Sequence, residues 1–94
     1  MTTFIHDPDA TLDYSIDWSA WLQPGETIVA STWHGVPDEM TIGTDAHAPS
    51  HTDTKTTVWL SGGHRNRRHK ITNRVTTSAG RVDDRSITLT VRHR

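Results

Sequence analysis

The segment 69–91, HKITNRVTTSAGRVDDRSITLTV, has a side-chain pattern with a period of two residues on both sides of a short break that contains glycine. Before the break, the odd-numbered residues of 71–77 fall on one side of an extended chain and the even-numbered residues fall on the other. After the break at 78–80, the odd-numbered residues of 87–91 are aliphatic and the residues between them carry hydroxyl groups. A period of two on both sides of a turn predicts a β-hairpin whose strands are each buried on one face.

The rest of the chain must supply a sheet for this hairpin, because two strands alone are barely stable in water. Residues 12–18 alternate without exception, and residues 27–33 and 55–60 are rich in residue types that favour strands. Residues 40–42 are a shorter candidate. Closely spaced strands without an amphipathic helix predict an all-β sandwich of immunoglobulin or fibronectin type with about seven short strands. A small barrel is the alternative.

Length and composition indicate the domain organisation. The chain has 94 residues, which suffice for one core, so we expect a β-sandwich domain over residues 11–94. Residues 1–10 are expected to form an N-terminal arm, because Asp7-Pro8-Asp9 disfavours regular structure. The chain has no cysteine, which excludes a disulfide framework. We see no secretory signal and no apolar run long enough to cross a membrane, and expect no membrane partner.

Three local features are less regular. In residues 27–33, Ile28 and Trp33 share a face only if a β-bulge intervenes. Residues 43–54 lack periodicity and are expected to form a polar, mobile loop. Asp17 is expected to cap a single helical turn over residues 18–22.

The charges are divided unequally along the chain. Residues 1–54 contain nine acidic residues and no Lys or Arg, for a formal charge of -9. Residues 55–94 contain all ten Lys and Arg residues and two acidic residues, for a formal charge of 10 - 2 = +8. In a sandwich, early and late strands usually lie on different sheets or edges, so this division predicts one acidic side and one basic side. Like subunits could then pack head to tail around a ring.

The densest basic cluster lies in residues 64–74. A solvated face, contacts with nucleic-acid phosphates and contacts with a partner protein are all compatible with it. Few aromatic residues accompany the cluster, so no platform for stacking bases is apparent, and nucleic-acid binding is the less favoured alternative. For two tryptophans outside the cluster, packing is the favoured interpretation, because Trp is largely buried in most proteins, and partner binding is the alternative. With that alternative included, the candidate partner interface comprises Trp33, Trp59, Arg65, Arg67, Arg68, Lys70 and Arg74.

No motif in the sequence predicts catalysis. Residues 7–11 match the D-x-D-x-T pattern of haloacid-dehalogenase-like phosphatases, and Asp83-Asp84 could stand in for their downstream acidic pair. That chemistry needs a buried parallel strand before the motif in a longer α/β chain, and residues 4–5 do not predict one. The seven His residues are scattered and have no Cys to assist them, so we expect no metal site. We also expect no catalytic residue and no cofactor.

A family resemblance rests on several segments taken together. They are DPDATLDY at 7–14 with residues 18–22, PGETI at 24–28, TVWLSGG at 57–63 and ITNRVTT at 71–77. In combination they resemble phage fibre-tail adaptor proteins, which are small tail proteins of double-stranded DNA phages. The chain departs from the family pattern at His69, where an aromatic residue often opens the strand, and at residues 44–54, which do not align.

The resemblance implies an immunoglobulin-like sandwich and a structural, non-enzymatic role in the virion. The protein would join the tail or baseplate to fibres or to neighbouring tail proteins, would be a homo-oligomer, and would be made in the host cytoplasm. Other classes remain open from the residues alone: a ligand- or glycan-binding module, a small nucleic-acid-binding protein or a truncated phosphatase. Sugar binding, a steep salt dependence of DNA affinity, or Mg²⁺-dependent phosphate release would distinguish them.

Overall fold

The computed structural model describes residues 2–92, Thr2 by its backbone only. Two sheets of four strands face each other, which confirms the all-β sandwich. The strands are β1 (Thr2–His6), β2 (Thr11–Asp17), β3 (Ile28–His34), β4 (Met40–Ile42), β5 (Ser50–His51), β6 (Lys55–Gly62), β7 (Arg68–Thr77) and β8 (Val82–Val91). They number eight within the described residues, against about seven predicted, and the immunoglobulin type of the sandwich remains a prediction.

The two sheets differ in composition. The first sheet, which we call sheet A, has the order β1-β8-β7-β3. The second, sheet B, has β6 in its centre, with β2 along one edge and the short β4 and β5 along the other. A three-residue 3₁₀ turn, Asp45–His47, is the helical segment of the part that the structure describes, and no helix there is long and apolar enough to cross a membrane.

The hairpin predicted from residues 69–91 is confirmed. Strands β7 and β8 pair antiparallel from Arg68↔Thr90 to Thr76↔Val82. The odd-numbered residues of 71–77 and of 87–91 are all buried, none exposing more than 2% of its surface. They form the inner face of sheet A because the side-chain period of a strand is two.

Sheet B supplies the other half of the core. The alternation predicted for residues 12–18 appears in β2, where Tyr14 and Ile16 are buried, and Trp18 directly after the strand is fully buried. In β6 the side chains of Val58 and Leu60 are likewise inaccessible to solvent. Asp17 caps the turn that follows β2, since its Oδ1 accepts the Ser19 N–H at 2.9 Å. These inner faces close one apolar core between the sheets.

The bulge that would place Ile28 and Trp33 on one face is present in β3. The register against β7 shifts between Ile28 and Ala30, so that Val29 is an extra residue on the β3 side. Val29 is 54% exposed, whereas Ile28 is buried and Trp33 packs against the core from the same side. The irregular alternation of residues 27–33 therefore results from one inserted residue.

The N-terminal residues depart from the sequence-based expectation. Thr2–His6, within the segment expected to be an arm, forms β1 and pairs in parallel with β8. The proline ends this strand rather than preventing it, because Asp7–Ala10 form a turn in which the Asp7 carbonyl accepts the Ala10 N–H at 2.9 Å. Met1 of the expected arm and residues 93–94 of the expected domain lie outside the described residues.

Residues 43–54 form a polar, exposed connection, as expected, but with some regular structure. It contains the 3₁₀ turn and the two residues of β5, which pair with Thr56 and Thr57 of β6. The His47 ring packs against Trp59 on the outer face of sheet B, at 4.1 Å between ring centroids. The connection therefore folds over that face.

Candidate partner-binding surface

The most basic part of the chain lies where β6 of sheet B passes to β7 of sheet A. Residues 64–67 form a tight connection in which Asn66 has a positive φ of 68°, a conformation that Asn tolerates better than most residues. The N–H of Asn66 donates to the Val91 carbonyl at 2.7 Å, and the N–H of Val91 donates to the Arg67 carbonyl at 2.8 Å. The connection is thereby fixed against the end of β8.

Four cations form what we call the basic patch: Arg65, Arg67, Arg68 and Lys70. All four are exposed. Arg68 and Lys70 are two residues apart on β7, so both project from the outer face of sheet A. In residues 2–92 the ion pairs within 4 Å involve other groups, so no carboxylate of the described chain neutralises the patch.

Arg74 lies further along the same outer face but is already engaged. Its Nε and Nη2 donate to the two carboxylate oxygens of Asp84 at 2.8 and 3.0 Å. The hydrogen bond from Arg74 holds the pKa of Asp84 below its ordinary value, and the Asp84 carboxylate raises the pKa of Arg74. Arg74 therefore differs from the basic patch in having a partner within the chain.

The two candidate tryptophans lie on different sheets. Trp33, on β3, faces inward opposite Asn73 and is half-buried. Its Nε1 is buried and has no hydrogen-bond partner within residues 2–92. Trp59 projects from the outer face of sheet B under His47. The structure keeps Arg65, Arg67, Arg68 and Lys70 of the candidate interface together, but Arg74 lies further along β7 and the tryptophans lie apart from the patch.

Sequence reasoning missed a carboxylate at the margin of the basic patch. Glu39 precedes β4, and its Oε1 lies 2.6 Å from Nε2 of His69 while its Oε2 lies 3.5 Å from Nδ1 of His64. These residues are far apart in sequence, and no periodicity joins them. In the part of the chain that the structure describes, no group of three or more His, Asp or Glu residues is placed to hold a metal ion.

The outer face of sheet B carries several acidic residues, together with Lys55 opposite Asp17. Asp13 and Asp17 project from β2, and Asp45 lies in the exposed connection that crosses this face. The backbone N–H of Ser19 is the main cause that lowers the pKa of Asp17, and Lys55 and Arg85 lower it further. We call Asp13, Asp17 and Asp45 the acidic face; it belongs to sheet B, and it approaches the basic patch where Asp17 and Lys70 line one hollow.

The phosphatase-like acidic residues do not meet. Asp7 follows β1, which is parallel to β8 but is an edge strand with Ile5 38% exposed, so it is not the buried strand that the motif needs. In addition, His6 aligns with Val91 at the end of β8, whereas Asp83 and Asp84 lie at its beginning. The length of that strand separates the two groups by about 25 Å at about 3.3 Å per residue. Asp7 Oδ1 instead accepts the Asp9 N–H at 2.9 Å within the turn.

An open groove runs between β1 and β2, the adjacent edges of the two sheets. Two hollows of about 490 and about 480 Å³ share Phe4 and Ser15 in their walls. Ile16 and Ile87 line the first, and Leu12 lines the second. The first hollow is also lined by Asp17, Lys70 and Arg85, so charged groups of both signs border the groove.

Fold and surface together define a small two-sheet β-sandwich whose outer faces differ in their charged residues. Over residues 6–90 the sequence matches the family described as podophage GP4 fiber-tail adaptor protein gp77, Gp77. The chain belongs to this family, which confirms the resemblance drawn from its motifs. It is therefore a structural component of a phage tail, of the fibre-tail adaptor type. No curated protein matches the sequence.

Proposed function

We propose that this chain joins the phage tail or baseplate to its fibres as one subunit of a head-to-tail ring, and that it does so without catalysis. The basic patch of one subunit binds the acidic face of the next. The observation that carries this proposal is the placement of four exposed cations without an ion-pair partner in the described chain on β7 and the β6–β7 connection, and of three exposed carboxylates on and beside the outer face of sheet B.

The geometry suits a heterologous contact, in which two different surfaces of the same protein meet. Such contacts close into a ring when the rotation between subunits is favourable. Exposed charge pairs contribute only about 0–1 kcal/mol each, so they set orientation and encounter rate more than affinity. Apolar contacts must supply the rest, and Ile5, which is 38% exposed, lies in the same row of sheet A as Arg68.

Contacts with the other tail and fibre proteins use the remaining parts of the predicted interface. Trp59 lies on the outer face of sheet B, and a half-buried Trp is a suitable anchor for a protein partner. Trp33 and Arg74 have neighbours within the chain and could extend the contact at the edge of sheet A. The protein then resides in the tail of the virion after synthesis in the host cytoplasm.

Paired charge reversals test the ring. We expect Arg68→Glu with Lys70→Glu to abolish association at low salt, and Asp13→Lys with Asp17→Lys to do the same. Combining all four substitutions in one chain should restore association, because both surfaces then have reversed signs. Asp83→Lys with Asp53→Lys, at two exposed positions outside both surfaces, is the control that matches the change in net charge of the Asp13→Lys and Asp17→Lys variant. Native mass measurement of the chain co-expressed with tail proteins provides the readout, and failure of the fourfold variant to associate would count against the proposal.

Nucleic-acid binding is the second candidate for the same patch, because clustered cations also bind phosphate groups. The same set of variants distinguishes nucleic-acid binding from head-to-tail association. Phosphate binding would disappear with the basic patch and would be unaffected or improved by Asp13→Lys with Asp17→Lys. Head-to-tail association needs both surfaces.

A further inference from the structure

Strand β1 is the most weakly attached strand of sheet A. It lies at the edge, pairs only with β8, and is the one parallel strand of the described sheets. Parallel pairing is slightly less stable per residue than antiparallel pairing. Beyond this pairing, Phe4 and His6 of β1 contact sheet B at Tyr14. The Phe4 and Tyr14 rings lie 5.2 Å apart, and the His6 and Tyr14 rings lie 5.8 Å apart.

His6 is an unusual residue to find at this contact, because its side chain is completely buried. Its Nδ1 forms a hydrogen bond of 2.5 Å with the Tyr14 hydroxyl. Its Nε2 is buried and has no hydrogen bond of regular geometry within residues 2–92. A neutral imidazole fits this site, since one ring nitrogen can accept from Tyr14 while the other carries the proton.

The groups that face His6 favour its neutral form. Burial lowers the pKa of His6 below its ordinary value, and this effect exceeds the opposing effects of the Asp7 carboxylate and the Gly62 backbone carbonyl. Asp7 is the next residue in the chain, Tyr14 is the titratable group from β2, and Gly62 is the contribution of β6. From the side of β8, the contact is the Arg92 backbone N–H, which donates to the His6 carbonyl at 3.0 Å.

We propose that His6 is a pH-sensitive latch for β1, so that protonation of its imidazole releases Thr2–His6 from β8 while the rest of the sandwich stays folded. A proton on Nδ1 removes the lone pair that accepts the Tyr14 hydroxyl, so this hydrogen bond can persist only with its direction reversed. It also places a positive charge in a site closed to water. Because β1 is an edge strand, it can open locally at a lower free energy than the whole fold.

Release of β1 would change the surface that the protein presents. The edge of β8 would lose its parallel partner, and an unpaired edge is a template for another strand. Phe4 would leave the groove between β1 and β2, which would open the core around Tyr14. The latch concerns the chain by itself and does not depend on the proposed ring.

Amide hydrogen exchange followed by NMR tests the latch in the full chain at about pH 7.5 and about pH 5, with intrinsic rates corrected. We expect the protection of β1 amides relative to β7 amides to fall, by at most about 30-fold. This limit is the ratio for an imidazole that titrates at an ordinary pKa of about 6.5 when released and takes up no proton when docked. Equal losses of protection in β1 and β7 would mean global unfolding and would overturn the proposal.

Variants identify the titrating group. His6→Gln keeps a polar side chain but cannot take up a proton in this range, so the pH dependence of β1 protection should disappear. His69→Gln, which removes the mostly buried histidine beside Glu39, is the matched control and should retain the pH dependence of β1 protection. If His6→Gln does not fold, Tyr14→Phe provides the second test, because loss of the hydroxyl should change the pH at which β1 is released. Unchanged behaviour of a folded His6→Gln or Tyr14→Phe protein would refute the latch.

Discussion

The indole Nε1 of Trp18 donates a hydrogen bond of 3.0 Å to Oδ1 of Asn73, across 55 residues of sequence and between the two sheets. Both side chains are fully buried. The same Oδ1 accepts the Thr56 hydroxyl at 2.7 Å, and Nδ2 of Asn73 donates to Ser31 Oγ and to the Thr32 carbonyl. All of the hydrogen-bonding capacity of one buried amide is thus used to join β3, β6, β7 and the turn after β2.

Substitution of this amide should destabilise the fold strongly. Asn73→Leu retains volume but leaves the Trp18 N–H and the Thr56 hydroxyl buried without their acceptor. At about 1–3 kcal/mol for each unsatisfied group, we expect a loss of about 3 kcal/mol or more in the free energy of unfolding. Urea denaturation measures it. Asn66→Gly is the control, since it removes an exposed Asn from a positive-φ position and should change stability little; equal effects of both variants would contradict the network.

The ion pair of Glu26, which is buried, and Arg81, which is half-buried, joins the β2–β3 connection to the β7–β8 turn. Glu26 is 8% exposed and binds both Nε and Nη2 of Arg81, while its Oε2 accepts the Thr77 hydroxyl at 2.5 Å. The guanidinium also lies 4.0 Å from the centre of the Trp21 ring. Hydrogen bonds from Arg81 first, and then from the Gln23 N–H and Thr77, lower the pKa of Glu26 from 4.5 to about 2.

We expect this pair to make the fold sensitive to acid. The carboxylate is favoured in the folded state, so its contribution is complete above about pH 4.5 and is lost as the pH falls towards about 2. Glu26→Gln should lower stability at neutral pH and flatten the pH dependence in that window. Urea midpoints measured from pH 7 downward by about one unit at a time provide the comparison.

The exposed pair of Arg74 and Asp84 is the control for Glu26. It has similar bidentate geometry, but both side chains are about half exposed, at 53% and 42%. Solvent screening should make Asp84→Asn much less destabilising than Glu26→Gln. If both substitutions lowered the free energy of unfolding equally, burial of Glu26 would not be the source of its effect.

How much of this structure can be predicted from the sequence depends on the range of the interactions. The hairpin of β7 and β8 follows from local alternation, because each inner residue is two positions from the next. β1 could not be predicted in this way. It is five residues long, lies next to a proline, and is held by a strand 85 residues away. The bulge at Val29 could be named as a condition but not located, since inserting one residue only disturbs the pattern.

The candidate surface shows the same limit. Adjacent positions on one segment placed Arg65 and Lys70 together, and the division of charge along the chain followed the two sheets in part. Which cations lack partners could not be read from the sequence. Arg74 and Arg81 look like the others in sequence, yet each meets a carboxylate brought to it by pairing or by a distant turn.

Substitution of Gly35 tests how tightly the end of β3 packs against β7, the strand that carries Arg68 and Lys70 of the basic patch. Its φ is +83°, and a Cβ atom there would lie 2.7 Å from the backbone carbonyl oxygen of Lys70. Gly35→Ala must therefore bear both a left-handed backbone and a clash with β7, and we expect a loss of more than about 2 kcal/mol in the free energy of unfolding. Gly80→Ala is the matched control, because Gly80 has nearly the same φ, +81°, with nothing within 4 Å. Gly80→Ala should lower the free energy of unfolding by about 1 kcal/mol, because only the left-handed backbone opposes it. Equal losses in urea denaturation would show that the contact with Lys70 relaxes without cost, whereas the expected excess for Gly35→Ala would establish that β3 is held tightly beside the patch.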